Sequence, residues 1–127
     1  MEKKILIIDD EPDILEFLSY NFKKNGYDVF RAVDGRDGIK QAESTHPDII
    51  VSDILMPNVN GIEMCKLLRN RSEFADTPFI FLSAVHDDYQ VMHAMLSGAD
   101  QYVSKPIRFE YLLSMVNELL SSKNKVQ

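Results

Sequence analysis

Carboxylate side chains directly follow two largely apolar segments of the chain, where they could bind a metal ion. Asp9 and Asp10 come after the apolar run of residues 5–8, and Asp53 comes after the run of residues 49–52. Like charges gathered in one crevice repel one another unless a cation lies between them, so a fold that joins these groups favours a cation site. Carboxylate oxygens are ligands that Mg²⁺ prefers. The pattern therefore predicts a magnesium site, provided that both runs end at the same edge of the structure.

Short β-branched runs alternate along the chain with longer segments in which apolar residues recur at helical spacing. This alternation predicts five strand and helix pairs. The predicted strands cover Lys4–Ile8, Tyr27–Ala32, Ile49–Asp53, Phe79–Leu82 and Gln101–Ser104. The predicted helices cover Pro12–Asn25, Gly35–Glu43, Gly61–Arg69, Asp88–Leu96 and Phe109–Leu120.

The alternation favours an α/β fold, a doubly wound parallel (βα)5 sheet with strand order 2-1-3-4-5. Predicted strands 1, 3 and 4 are apolar on both faces, as central strands covered by helices on each side are. In such sheets the binding crevice lies beyond the carboxyl ends of the strands where the winding reverses, here between strands 1 and 3. Asp9, Asp10 and Asp53 all fall at this crevice.

Length and hydropathy indicate one soluble domain. The chain has 127 residues, of which 45% are apolar, and this suffices for one core. We assign residues 1–121 to the domain and residues 122–127 to a polar tail or the start of a linker. The first apolar run stops after four residues and no run is long enough to span a bilayer, so we expect no signal peptide, no membrane contact and a cytoplasmic location.

Charge and cysteine content argue against binding of nucleic acid and against an internal disulfide. The formal net charge is −6 and the 14 Lys and Arg residues form no dense block, which disfavours direct binding of nucleic acid by this domain. Cys65 is the only cysteine in the sequence, so no internal disulfide can form. A reducing compartment fits this composition.

Motifs at the predicted strand ends carry a family resemblance. They are Asp9-Asp10 after strand 1, Asp53-Ile54-Leu55-Met56-Pro57 with Gly61 after strand 3, Leu82-Ser83-Ala84 ending strand 4, and Tyr102-Val103-Ser104-Lys105-Pro106 ending strand 5. Each motif alone is weak, but all of them in order, each at a strand end, form a specific signal. Over nearly its whole length the chain resembles the response regulator receiver domains of two-component signalling, which share the flavodoxin-like fold of the chemotaxis regulator.

The resemblance implies that Asp53 receives a phosphoryl group from a sensor histidine kinase or a histidine phosphotransfer protein, since a carboxylate can form a mixed anhydride. We expect a signalling phosphoacceptor that assists its own phosphorylation and dephosphorylation, not an enzyme. Asp10, Asp53 and the backbone carbonyl of Leu55 would ligate Mg²⁺, with Asp9 acting mainly through a bound water.

Residues from strands 4 and 5 would complete this site. Lys105 would supply a mobile positive charge that pairs with the carboxylate and then with the phosphoryl group. Ser83 would donate its hydroxyl to a phosphoryl oxygen. The family resemblance also predicts a cis peptide bond before Pro106. Glu11 is expected to point to solvent or to begin the next helix.

The resemblance further implies a switch in which Ser83 moves toward the phosphoryl group and Tyr102 turns inward. The output face would then comprise predicted helix 4, strand 5 and predicted helix 5. Helical wheels place a first set of apolar residues inward and leave a second set outward. The inward set is Val91, Ala94, Met95, Gly98, Phe109, Leu112, Leu113, Val116 and Leu120, and the outward set is Met92, Leu96, Ile107, Tyr111 and Met115. We expect Met92, Leu96, Tyr111 and Met115 to contribute to a partner or dimer surface.

Other classes that share parts of this pattern fit the residues less well. A flavin mononucleotide carrier of the same topology would find its phosphate repelled by the acidic segment 9–13. A haloacid-dehalogenase-type phosphatase needs a second aspartate two residues after the nucleophile, where Leu55 stands. A histidine metal site would rest on His86 and His93 without further ligands.

Two aspects of output stay open at the level of sequence. The chain is either a stand-alone receiver, which binds a protein target or relays phosphate to another histidine phosphotransfer protein, or the amino-terminal part of a larger regulator with its own effector domain. A homodimer on activation is compatible with both, although Gln101 and Ser114 lack the charges expected of regulators with winged-helix output domains. Apolar Leu55 and Val85 beside the site predict slow self-dephosphorylation.

Overall fold

The structure is a computed structural model that describes residues 2–84 and 87–125, with side chains up to residue 122. Its strands are β1 (Lys4–Ile8), β2 (Asp28–Ala32), β3 (Ile49–Asp53), β4 (Phe79–Ser83) and β5 (Gln101–Ser104). Its α-helices are α1 (Pro12–Lys24), α2 (Gly35–Thr45), α3 (Gly61–Arg69), α4 (Asp88–Leu96) and α5 (Phe109–Lys125). A short 3-10 helix, Ser72–Phe74, precedes β4.

The described strands form one parallel sheet in the order β2-β1-β3-β4-β5, as predicted. Every residue of β3 and β4 is buried, which explains why each strand begins with three or four consecutive apolar residues. The register pairs Ile8 of β1 with Ser52 of β3, so Asp9 and Asp53 follow at the same level of the sheet. Asp53 in turn pairs with Leu82 of β4. The fold therefore brings the predicted carboxylates to one edge.

Alternate residues of the strands point to opposite faces of the sheet, so their side chains belong to two separate cores. Ile5 and Ile7 of β1 face the layer formed by α1 and α5, where they belong to the same buried cluster as Phe22 of α1. Leu6 and Ile8 face the opposite layer, which contains α2, α3 and α4. Period-two alternation in a strand delivers side chains to both faces, and both are apolar here because each is covered by helices.

All predicted boundaries agree with the structure to within two residues except the end of α5. α2 extends to Thr45 and ends at His46, which adopts a left-handed conformation with φ 50°. α5 continues through Lys125, five residues beyond its predicted end, so part of the expected polar tail is helical. Between residue 2 and residue 125, excluding 85 and 86, no helix has the length and apolar character needed to cross a membrane.

Candidate metal centre

Three aspartates converge beyond the carboxyl ends of β1 and β3. One carboxylate oxygen from each of Asp9, Asp10 and Asp53 lies within 4.8 Å of the others. Asp9 is fully buried and Asp53 is 6% exposed, whereas Asp10 is exposed. Carboxyl groups this close, with two of them withdrawn from water, form a strongly anionic pocket that a cation would stabilise.

Lys105, which follows β5, places its ammonium group in this pocket. Its Nζ donates to Asp53 Oδ2 at 3.1 Å and to Asp9 Oδ2 at 3.1 Å. Its Nζ also donates to Glu11 Oε1 at 2.7 Å. The side chain of Lys105 is only 12% exposed, so these ion pairs are much less screened by water than pairs on the surface. One ammonium group is therefore shared by several carboxylates.

Asp9 and Lys105 have shifted pKa values. Burial raises the pKa of Asp9 above its ordinary value of 3.8, and the nearby Asp53 charge acts in the same direction, while hydrogen bonds from Glu11 and Lys105 oppose it. Burial alone would lower the pKa of Lys105, but the hydrogen bond to Glu11 and the charges of Asp53 and Asp9 raise it overall. Lys105 therefore remains charged over the physiological range.

Local hydrogen bonds orient each acidic side chain. Asp9 Oδ1 accepts from the backbone amide of Glu11 at 2.9 Å, and Asp53 Oδ1 accepts from the amide of Ile54 at 2.7 Å. These bonds leave the second oxygen of each carboxylate to contact Lys105. The backbone amide of Lys105 donates to Ser83 O at 2.9 Å, which extends the pairing of β4 and β5 to the site. The Lys105–Pro106 peptide bond is cis, as predicted.

Gly61 lets the start of α3 approach the end of β3. Its amide donates to Ile54 O at 2.8 Å. A Cβ atom at this position would lie 2.2 Å from Asp53 O, a backbone atom that cannot move without moving β3. The close approach therefore requires glycine at residue 61.

A cleft of about 370 Å³ opens above the carboxylates. It brings together residues from four of the predicted motifs, with Asp9 buried at its base. The residues that line it are Asp10, Glu11, Asp53, Leu55, Ser83, Ala84 and Lys105. A group bound in this cleft would contact carboxylates, a hydroxyl and an ammonium group at the same time.

Tyr102 on β5 lies beside the cleft and is half-buried. Its side chain is hydrogen bonded to that of Ser83. Burial raises the pKa of the Tyr102 phenol, and the bond with Ser83 partly opposes this increase. The two predicted switch residues are thus in direct contact.

Glu11 was expected to face solvent or to begin α1, and the second expectation describes its backbone. It is the residue before α1, yet its carboxylate turns back to Lys105 while its side chain stays 57% exposed. The expectation of a solvent-facing side chain was incomplete, because helical periodicity says nothing about a side chain that precedes the helix. Three consecutive acidic residues after a strand were the available signal.

The predicted partner surface is largely exposed. Met92, Leu96 and Tyr111 are 53%, 76% and 58% exposed. The prediction that Met115 is exposed was wrong, because it is half-buried and packs against the core between the sheet, α1 and α5. Ile107 packs there as well, and Gly98, predicted to face inward, is exposed after α4. Val85 and His86 lie outside the described residues.

The arrangement fits Mg²⁺. The donors are carboxylate oxygens that lie within 4.8 Å of one another, one of them on the exposed Asp10. Mg²⁺ takes oxygen ligands and usually keeps several waters, which an open cleft permits. A divalent cation bound there would also offset the repulsion from Asp53, which adds to the effect of burial in raising the pKa of Asp9.

Residues 5–117 match the family model of the response regulator receiver domain. The chain is 42% identical over 106 residues to the alkaline phosphatase synthesis transcriptional regulatory protein PhoP of Bacillus subtilis, a match that covers 84% of this chain and 43% of that protein. It is 38% identical over 123 residues to the DNA-binding dual master transcriptional regulator RpaA of Synechocystis, covering 97% of this chain and 51% of that one. The chain therefore spans about half the length of these relatives.

Solved structures with the same fold include two receiver proteins. The signal receiver domain of a histidine kinase from Syntrophus aciditrophicus superposes with a TM-score of 0.90 at 31% identity, over 98% of this chain and 95% of that one. The chemotaxis response regulator CheY4 of Vibrio cholerae superposes with a TM-score of 0.88 at 29% identity, over 94% of this chain and 99% of that one.

Proposed function

The chain belongs to the response regulator receiver family of two-component signalling, and we propose that Asp53 is the side chain that accepts its phosphoryl group. The observation that carries this proposal is the position of the Asp53 carboxylate. It lies at the end of β3, lines the cleft, and is held by the amide of Ile54 on one oxygen and by Lys105 on the other. A carboxylate held in this way is already oriented at the cleft in which a phosphoryl donor would bind.

The reaction is a substitution at phosphorus. An oxygen of Asp53 forms the new bond to phosphorus, while the bond from phosphorus to the donor nitrogen or oxygen breaks and its electron pair leaves with the donor. The product is an acyl phosphate, a mixed anhydride. Hydrolysis by water returns the carboxylate and releases inorganic phosphate, so the domain assists its own phosphorylation and dephosphorylation without acting on a separate substrate.

Mg²⁺ would be held by Asp10, Asp53 and the backbone carbonyl of Leu55, with Asp9 acting through a bound water. When bound, the ion would neutralise negative charge on the phosphoryl oxygens. Asp10 suits a direct ligand because it is exposed to the cleft, whereas Asp9 is buried below it and already accepts hydrogen bonds from Glu11 and Lys105. Whether a carboxylate ligates the ion directly or through a bound water, the fold holds its oxygen atoms at the site.

Lys105 would follow the negative charge as it moves from the carboxylate to the phosphoryl group. Its Nζ already contacts Asp53, so a phosphoryl group on that residue lies within reach of a flexible side chain. Ser83 would donate its hydroxyl to a phosphoryl oxygen. Because Ser83 and Tyr102 are hydrogen bonded to each other, movement of one changes the position of the other. This contact would couple phosphorylation to β5.

The output surface would include Met92 and Leu96 on α4 and Tyr111 on α5, all of which are exposed. Met115 would contribute only the part of its side chain that is exposed. A partner or a second copy of the domain would bind there after activation. Charged substitutions at Leu96 and Tyr111 should weaken that binding while labelling of Asp53 proceeds normally. Normal binding by such a variant would remove these residues from the surface.

The donor would be a sensor histidine kinase or a histidine phosphotransfer protein in the cytoplasm. Residues 1–121 would form the phosphoacceptor domain, which would not itself bind nucleic acid. Because the chain spans about half of its transcriptional regulator relatives, an effector domain beyond residue 127 is one source of output, and a separate protein target is the other. The reading frame beyond Gln127 distinguishes them.

Labelling by acetyl phosphate tests the assignment of Asp53. We expect the protein to be phosphorylated in Mg²⁺ and not in EDTA, and Asp53→Asn to abolish labelling. Asp10→Asn should reduce labelling through loss of metal. Asp28→Asn is the matched control, because Asp28 is exposed at the opposite edge of the sheet. This variant should be labelled to the same extent as the parent protein. Undiminished labelling of Asp53→Asn would refute the proposal.

A further inference from the structure

The loop between β3 and α3, residues 54–60, carries Leu55 to the cleft and is bound to the turn between β2 and α2. Asn58 Nδ2 donates to Asp34 Oδ2 at 3.0 Å. The next residue, Val59, accepts at its carbonyl from the amide of Gly35 at 3.1 Å. Two adjacent hydrogen bonds therefore join this loop to a different part of the chain.

Asp34 is itself rigidly held. Its Oδ1 accepts from the backbone amide of Asp37 at 2.8 Å, so it is the N-cap of α2. The hydrogen bond from Asp37 and that from Asn58 lower the pKa of Asp34, which keeps it charged and a strong acceptor. Because one oxygen is bound to the helix and the other to Asn58, the loop is tied to the end of α2.

The backbones of the two segments approach too closely for most side chains. A Cβ atom on Gly35 would lie 2.0 Å from Val59 O. Asn58 adopts a left-handed conformation with φ 67°, which asparagine tolerates better than most residues. Residue types on both sides of the contact thus suit this specific arrangement.

The middle of the loop lies between two anchored ends and is only partly buried. Ile54 is fixed by Asp53 and Gly61, and Asn60 forms a capping box with Glu63 at the start of α3. Between them, Leu55 is 61% exposed and Asn58 is exposed, although Met56 and Val59 pack partly against the core. The bond to Asp34 therefore holds a residue in the exposed part of the loop.

We propose that Asp34 and Asn58 are positioning residues for the magnesium site, whose hydrogen bond holds the loop so that Leu55 stays beside Asp10 and Asp53. This inference rests on the proposed Mg²⁺ site. Mg²⁺ requires near-ideal ligand geometry, so a backbone ligand on a loosened loop would have to be ordered at the expense of affinity. Groups that orient metal ligands commonly change metal affinity by about tenfold or more when they are removed.

Three variants separate this role from simple support of the fold. Asn58→Gly removes the amide and can still adopt the left-handed conformation. Asp34→Asn combined with Asn58→Asp exchanges the donor and the acceptor, so one hydrogen bond is restored at unchanged net charge. Asn70→Gly is the control for a new glycine, because Asn70 is exposed at the other end of α3.

Mg²⁺ affinity by calorimetry and thermal unfolding in EDTA are the two measurements. We expect Asn58→Gly to bind Mg²⁺ about tenfold more weakly, while the exchange variant and Asn70→Gly stay within about threefold of the parent. In EDTA, Asn58→Gly and Asn70→Gly should unfold at similar temperatures. Unchanged Mg²⁺ affinity in Asn58→Gly would overturn the positioning role and leave the assignment of Asp53 intact. Failure of the parent to bind Mg²⁺ would instead overturn the metal site and this inference together.

Discussion

Removal of the Lys105 ammonium should destabilise the protein when no metal is present. Lys105→Met keeps an apolar side chain of similar length but leaves Asp9 and Asp53 without the cation that both contact at 3.1 Å. At that distance each pair is worth about 5 kcal/mol for an effective dielectric constant of about 20, before the cost of withdrawing the ammonium from water is subtracted. Breaking a buried ion pair on one side typically costs about 3–5 kcal/mol.

The net loss of stability should be smaller than the sum of these pair energies. Asp9 already has a raised pKa, so it can bind a proton when Lys105 is absent, and Glu11 is 57% exposed and contributes little. We therefore expect the free energy of unfolding to fall by about 2–4 kcal/mol at neutral pH. The loss should shrink as the pH falls, because protonated carboxyl groups no longer repel one another.

Urea unfolding in EDTA and in Mg²⁺ measures this effect. Mg²⁺ should recover much of the stability lost in Lys105→Met, because the ion binds the same carboxylates and no longer competes with the ammonium. Lys66→Met is the control, since Lys66 is exposed on α3. Equal or greater stability of Lys105→Met in EDTA would show that the ion pairs do not hold this cluster together.

Three further substitutions follow from the same site. Burial raises the pKa of Asp9 above 3.8, so the charged side chain destabilises the folded state, and this penalty in EDTA should disappear as the pH falls toward 3.8. Asp9→Asn should remove this pH dependence and raise the stability measured by urea unfolding in EDTA at neutral pH. A loss of stability would contradict this. Gly61→Ala should cost about 1–3 kcal/mol by the same assay, because its Cβ would lie 2.2 Å from Asp53 O, and an unchanged midpoint would refute the tight contact. Glu11→Gln should change stability by less than about 1 kcal/mol. The same change should speed labelling by acetyl phosphate about threefold, since it removes a negative charge from the cleft and frees Lys105; slower labelling would argue against this.

The sheet and the acidic cluster were predictable because they depend on local patterns. Continuous apolar runs identified β3 and β4, since strands buried on both faces need them. Once the strand order was inferred, Asp9 and Asp53 had to be neighbours, because carboxyl ends of parallel strands meet at one edge. The cis bond before Pro106 came from the family resemblance and agrees with the structure.

Features that depend on tertiary contacts were not predictable. α5 continues through polar residues up to Lys125, where helical periodicity gives no apolar signal. The inward packing of Met115 and the outward position of Gly98 depend on where neighbouring elements lie, which a helical wheel does not contain. The contacts of Glu11 with Lys105 and of Asn58 with Asp34 join residues far apart in sequence.

Chemical mapping of the modified residue shows directly whether Asp53 accepts the phosphoryl group. Borohydride reduces an acyl phosphate on aspartate to the alcohol, so the phosphorylated side chain becomes homoserine and can be located by peptide mass spectrometry. After incubation with acetyl phosphate and Mg²⁺, we predict homoserine at residue 53 alone, and none after incubation in EDTA. Homoserine at residue 9 or 10, or a phosphoryl group on a residue outside the cleft, would refute the assignment of Asp53 as the phosphoacceptor.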